Sequence, residues 1–127
     1  MEEKSVKEIS SLVLAYLGDA VFEVIVRDRL VRQSPARPNE LNKRASRIVC
    51  AASQAKMIDA LLPLLTEEEE AVYRRGRNAH SPTTAKNQSV GDYRKATGFE
   101  ALIGYLHLME RGERITELVE AGLASLG

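Results

Sequence analysis

Two carboxylates stand out by their surroundings. Asp19 lies in LVLAYLGDAVFEVIVRDRLV, residues 12–31, a stretch almost wholly apolar up to Val26, with Gly18 and Ala20 keeping bulk low beside the acid. Glu100 is the only acidic residue of ATGFEALIGYLHLM, residues 96–109, and Gly98 and Gly104 flank it. An ionised carboxylate in apolar surroundings is unfavourable unless a cation, hydrogen bonds or water meet it. Two apolar helices, each with one acid among small residues, predict two acids brought together in the core of a helical domain. Such a pair beside basic residues suits a Mg²⁺ site for phosphodiester hydrolysis. Magnesium takes hard oxygen ligands, keeps several waters and often needs only one or two protein carboxylates plus a substrate phosphate. The alternative is a pair of structural acids satisfied by arginine, lysine or backbone groups. Spacing alone leaves both open, because the acids are far apart in the chain.

The charge map supports a polyanionic partner. The 127 residues carry 18 basic and 18 acidic side chains, a net charge of zero. Residues 37–56 and 71–95 together hold eleven positive and two negative charges, a net of +9, while the rest of the chain is at −9. Polarisation of that kind points to a polyanion on one face. The first segment offers Lys43 and Arg47. The second offers Arg74, Arg75 and Arg77 and then a polar stretch, GRNAHSPTTAKNQSVG, residues 76–91, which reads as a long loop. Asn78, His80, Thr83, Thr84, Lys86 and Asn87 in that stretch, with Tyr93 and Arg94 just after it, are donors suited to phosphates and ribose hydroxyls. Two basic helices merely solvated by their charges would give the same composition.

The elements that must position these residues are helical. No β-branched run is long and no Asn-Gly or Asp-Gly turn separates alternating segments. The spacing predicts five to seven helices in one domain spanning residues 1–127, with no sheet. A first helix starting at Ser5 or Ser10 should run to about Gln33, where Ser34-Pro35 ends it. Glu23 and Arg27 on it suit an i,i+4 ion pair. Asn39 is the expected cap of the next helical segment, which should bend near 49–53 and end at Pro63. Thr66 and Glu69 form a capping box, and Glu67 to Glu70 suit the positive end of that helix. A helix from about Gly91 to Glu110 carries Glu100, Gly112 closes it, and a last helix runs from about Glu113 to Ser125. The single cysteine, Cys50, lies among small residues and reads as an inert core thiol. One cysteine and two histidines give zinc no support. No secretory leader and no membrane-spanning run is expected, which fits a cytoplasmic protein.

The same two acidic stretches carry a resemblance. LAYLGDAVFEVIVRDRL resembles the signature helix of the ribonuclease III catalytic domain, with its leucine-glycine-aspartate-alanine core. TGFEALIGYLHL resembles that domain's second catalytic helix, and the two occur in the family's order. The resemblance places Asp19 and Glu100 on two of the family's metal-binding acids. At three further positions where ribonuclease III proper carries acids, this chain has Leu12, Ala15 and Thr97. Those departures, the RRGRNAHSPTTAKN loop and the expected lack of a following double-stranded RNA-binding domain are similar to the mini-ribonuclease III subfamily. RIVCAASQA and YRKATGFEALIGYL are similar in kind as well. His80 departs from that pattern, which has lysine after RGRNA. The resemblance implies a ribonuclease III endonuclease fold and a homodimer. It implies two centres, each cutting one strand of double-stranded RNA with Mg²⁺ and leaving 5′-phosphate and 3′-hydroxyl ends with two-base 3′ overhangs. It further implies maturation of precursor large-subunit (23S) ribosomal RNA in the bacterial cytoplasm. The rival expectation is a catalytically inactive protein of the same fold that binds structured RNA, favoured by the three absent acids. A helical dimerisation module is a third.

Overall fold

The computed structural model describes residues 1–33, 35–79 and 89–127. Among them lie seven α-helices, one short 3-10 turn and no strand. In order they are α1 (Glu3–Lys7), α2 (Ser11–Gln33), α3 (Pro38–Val49), α4 (Ala51–Leu61), the 3-10 turn Leu62–Leu64, α5 (Glu67–Asn78), α6 (Val90–Leu108) and α7 (Gly112–Ser125). No helix is long and apolar enough to cross a membrane among these residues.

The long acid-bearing helix begins at the later of its two expected caps. The Ser10 hydroxyl accepts from the Val13 N–H at 3.2 Å, and the residues before it form the separate α1, which buries Val6. Glu23 and Arg27 pair at 2.9 Å, as their spacing predicts. Asn39 does not cap α3. Arg37 is the extended residue before that helix and Pro38 occupies its first turn. A residue preceding proline avoids the helical region, and proline's fixed φ suits a helix start, so the boundary moves ahead of the asparagine.

The expected bend falls at Cys50, whose extended backbone (φ −70°, ψ 156°) separates α3 from α4. Cys50 is exposed there, which overturns its reading as a core thiol. The chain must turn outward at this residue to change direction, and the side chain goes with it. Its Sγ donates to the Ser53 hydroxyl at 3.2 Å, and that hydroxyl donates to the Arg47 carbonyl at 2.6 Å.

The capping box at α5 is present. Glu69 N–H donates to Thr66 Oγ1 at 3.1 Å, and Thr66 N–H donates to Glu69 Oε1 at 2.9 Å. The acidic run also does more than complement a helix dipole. Arg114 of α7 donates to both oxygens of Glu69, each at 2.9 Å, and Glu69 is 3% exposed. Glu68 accepts from the Tyr105 hydroxyl at 2.6 Å and from Arg111 at 2.8 Å. The helix then runs on through Gly76, Arg77 and Asn78, so the polar stretch opens as helix, not loop.

Helix α6 is the centre of the molecule and packs on α2, α4, α5 and α7. Every residue from Ala96 to Leu106 is buried except Glu100. A helix apolar on all sides must be enclosed on all sides. Phe99 of α6 meets Phe22 of α2 edge to face, with centroids 5.1 Å apart. Such a geometry adds about 0.5–1.5 kcal/mol to simple burial. The helix ends in a left-handed turn at Glu110 (φ 58°), not at the glycine that follows. Arg111 N–H closes the turn on the Leu106 carbonyl at 2.9 Å, and Gly112 opens α7.

Candidate active site

The site follows from a backbone contact. Gly18 of α2 and Gly104 of α6 lie where the two helices cross. A Cβ on Gly18 would overlap the Glu100 carbonyl oxygen and come within 2.8 Å of the Gly104 nitrogen. A Cβ on Gly104 would overlap the Leu14 carbonyl. Only glycine at both places permits this approach. The contact brings Asp19, next to Gly18, against Glu100, and the two side chains share a hydrogen bond.

The acids do meet, but not inside the core. Asp19 is exposed and Glu100 is half-buried. Asp19 is the outer member of the pair and Glu100 the inner one. Burial, the hydrogen bond to Asp19 and the negative charge of Asp19 together push the Glu100 carboxyl up to about 8 from an ordinary value of 4.5. Two carboxylates this close cannot both ionise cheaply without a cation. The Gln54 amide works the other way and favours the Glu100 carboxylate.

No motif or spacing singles out Gln54. Its signal in the sequence is a polar residue in an apolar register, since Ala51, Ala55, Ile58 and Leu61 of the same helix are all buried. Of the other positions where the family resemblance would have placed acids, Leu12 holds a half-buried apolar side chain. Ala15 and Thr97 are buried, and the Thr97 hydroxyl donates to the Tyr93 carbonyl at 3.0 Å.

The donor set fits a hard divalent cation. Two carboxylates lie together, one is raised by the other, and a buried side-chain oxygen, Gln54 Oε1, has no hydrogen-bond partner among the described residues. No third histidine, cysteine, aspartate or glutamate joins the pair among those residues. That composition matches a Mg²⁺ that keeps most of its water better than a fully caged metal.

The predicted basic residues divide into groups along α2. Arg74, Arg75 and Asn78 line a shallow cleft with Ser11, at the start of α2. Asp19 is eight residues further on, about 12 Å along the helix at 1.5 Å per residue. Arg74 also pairs with Glu70 at 3.6 Å. Arg77 lies 5.8 Å over the Tyr73 ring and donates to the Asn78 side chain at 3.2 Å. Lys43 and Arg47 share a second, mainly basic groove with Asn39, Glu40 and Arg44 of α3 and with Arg37 just before it. Helix α3 lies beside the other end of α2, where Leu41 and Ala45 meet Leu30 and Val31 in a small cleft. Asp19 is therefore between the two groups along the length of α2. Arg94 is exposed on α6, and Tyr93 is half-buried. His80, Thr83, Thr84, Lys86 and Asn87 lie outside the described residues.

Known proteins agree with this geometry. Residues 12–111 match the ribonuclease III domain. The mini-ribonuclease 3 of Enterococcus faecalis is 48% identical over 123 residues, covering 95% of this chain and 93% of that one. The mini-ribonuclease 3 of Brevibacillus brevis is 50% identical over 113 residues, covering 89% and 84%. A crystal structure of a Fusobacterium nucleatum protein superimposes with a TM-score of 0.86 at 28% identity, over 96% of this chain and 98% of that one. With both acid-bearing helices inside the matched region, the chain belongs to the ribonuclease III family, the endoribonucleases of double-stranded RNA.

Proposed function

We propose that this protein is a Mg²⁺-dependent endoribonuclease that cuts both strands of double-stranded RNA, with Asp19 and Glu100 as its catalytic and metal-holding residues. The observation that carries the reading is the glycine-to-glycine crossing that forces the two acids together with Asp19 exposed at the surface. When bound, Mg²⁺ supplies an acidified water and neutralises charge on the reacting phosphate. The rest falls to the chain. Glu100 gives up its proton to become a ligand, and exposed Asp19 faces the phosphodiester. The Arg74, Arg75 and Asn78 group and the Lys43 and Arg47 group hold backbone phosphates on either side. Attack on phosphorus breaks the bond to the 3′ oxygen and leaves 5′-phosphate and 3′-hydroxyl ends. Contacts of this kind recognise A-form shape more than sequence.

The working unit is a homodimer. Its support is an apolar stripe left open on α2, where Val13, Tyr16, Val24 and Val31 are each more than half exposed. They recur at helical spacing along one edge and flank Asp19. A two-fold axis across this edge would set two centres against one duplex, as cutting both strands requires. The substrate by this reading is precursor 23S ribosomal RNA in the cytoplasm, which rests on the subfamily resemblance.

The test is incubation with a long perfect RNA duplex, with Mg²⁺ and with chelator, resolved on a denaturing gel. Cuts only with Mg²⁺ are expected. A salt-sensitive gel shift without cuts would favour the inactive RNA-binding protein.

A further inference from the structure

Gln54 places an amide where the register of α4 calls for an apolar side chain. It is 2% exposed. Its Nε2 donates to the Val49 carbonyl at 2.9 Å, which fixes one edge of the amide. Its Oε1 is buried and accepts no hydrogen bond from the described residues. A buried oxygen left unmet is unfavourable, and native structures nearly always meet it with protein, water or an ion. Two hydroxyls on the packed helices α4 and α6 donate to backbone carbonyls. Ser53, the preceding residue, donates to the Arg47 carbonyl. Thr97, one turn before Glu100 on α6, donates to the Tyr93 carbonyl. The Gln54 side chain itself lies against Glu100.

The acid pair has the complementary shortage. A hydrated divalent cation there would find two carboxylates and no third acid or histidine among the described residues. Its remaining positions are waters, and waters bound to a cation are strong donors in need of fixed acceptors. A third carboxylate would add like charge beside the two that already lie together. A neutral amide oxygen adds an acceptor without that penalty. Resting on the reading of the pair as a Mg²⁺ site, we propose that Gln54 is a positioning residue of that site. Its side-chain oxygen accepts a hydrogen bond from a water of the cation's hydration shell.

The test is binding of Mn²⁺ by the full chain without RNA, followed by the resonance signal of the free ion. Wild type is expected to bind, and Asp19→Asn is expected to lose binding. Gln54→Met keeps the volume of the side chain and removes its oxygen. It is expected to bind Mn²⁺ about 10–100-fold more weakly, while its melting midpoint in chelator stays close to wild type. Gln54→Glu restores an oxygen and is expected to bind at least as tightly as wild type above pH 8, which keeps the proposal testable if the methionine variant does not fold. Wild-type affinity in Gln54→Met, or loss of affinity in Gln54→Glu, would overturn the role of the oxygen. Wild-type affinity in Asp19→Asn is a different failure, since it would remove the acid pair as the metal site altogether.

Discussion

Burial and the neighbouring Asp19 let the Glu100 carboxyl keep its proton well above the ordinary carboxylate range. Its folded pKa of about 8 lies above the ordinary value of 4.5. Between those two values the folded chain holds a proton that the unfolded chain has lost, so this residue makes stability fall as pH rises across that window. Melts of metal-free protein in chelator should therefore show a midpoint that drops from pH 5 to pH 8. In Glu100→Gln that drop should largely vanish. Glu68 and Glu69 act in the opposite sense. Hydrogen bonds from Tyr105 and Arg111 hold Glu68 below the usual carboxylate range, and Arg114 and Thr66 overcome burial to do the same for Glu69. Their contribution is present above about pH 4.5 and is lost as pH falls through their lowered values. Arg114→Ala would leave Glu69 buried without its partner. Loss of one member of a buried pair is destabilising by about 3–5 kcal/mol, and partial exposure of Arg114 puts the expected effect near the lower end, measurable by urea unfolding.

The crossing of α2 and α6 sets the distance between the acids, so a methyl group at the crossing should be felt in activity. Gly18→Ala is expected to push the helices apart and to destabilise by about 1–3 kcal/mol. Cleavage should fall more than stability does, because the acid pair is displaced with the backbone. A fully active Gly18→Ala would show that the close approach is not what builds the site. Much of this level was legible in the sequence. Residues 96–106 announced a buried helix by being apolar nearly all round, whereas the equally apolar residues 12–26 leave Val13, Tyr16 and Val24 exposed along one edge of α2. Gly18 and Gly104 beside the acids announced a close contact. Thr66 and Glu69 carried their capping box in four residues. The misreadings share a cause, which is that a local rule competed with something outside its window. Asn39 is a good cap residue, but Pro38 had already fixed the boundary. Cys50 lies among small residues, but the kink between two helices turns it outward. The Glu67–Glu70 run was well explained by a helix dipole, which hid the long-range partners Tyr105, Arg111 and Arg114. Gln54 has no motif at all, and only the register of α4 distinguishes it.

At the scale of the whole molecule, the chain separates its charge while remaining neutral. Many of its basic residues lie in segments 37–56 and 71–95, and acids concentrate in the first turn of α5 and along α7. Affinity for duplex RNA should fall steeply with salt. Lys43→Ala with Arg47→Ala should flatten the slope of log K against log salt by about 1–2, since each phosphate contact contributes nearly one. The open stripe on α2 should be the seam between subunits. Val24→Asp is expected to shift the protein to monomer in analytical ultracentrifugation and to leave its helix content unchanged. The central claim is that the two acids joined at the helix crossing perform the cleavage. It is tested most directly by single-turnover cutting of a long RNA duplex in Mg²⁺ by wild type and Asp19→Asn, with duplex binding measured on the same preparations. The expected result is loss of cleavage in Asp19→Asn by several orders of magnitude with binding nearly intact. Near-wild-type cutting by that variant would contradict the account and move the chemistry away from this site.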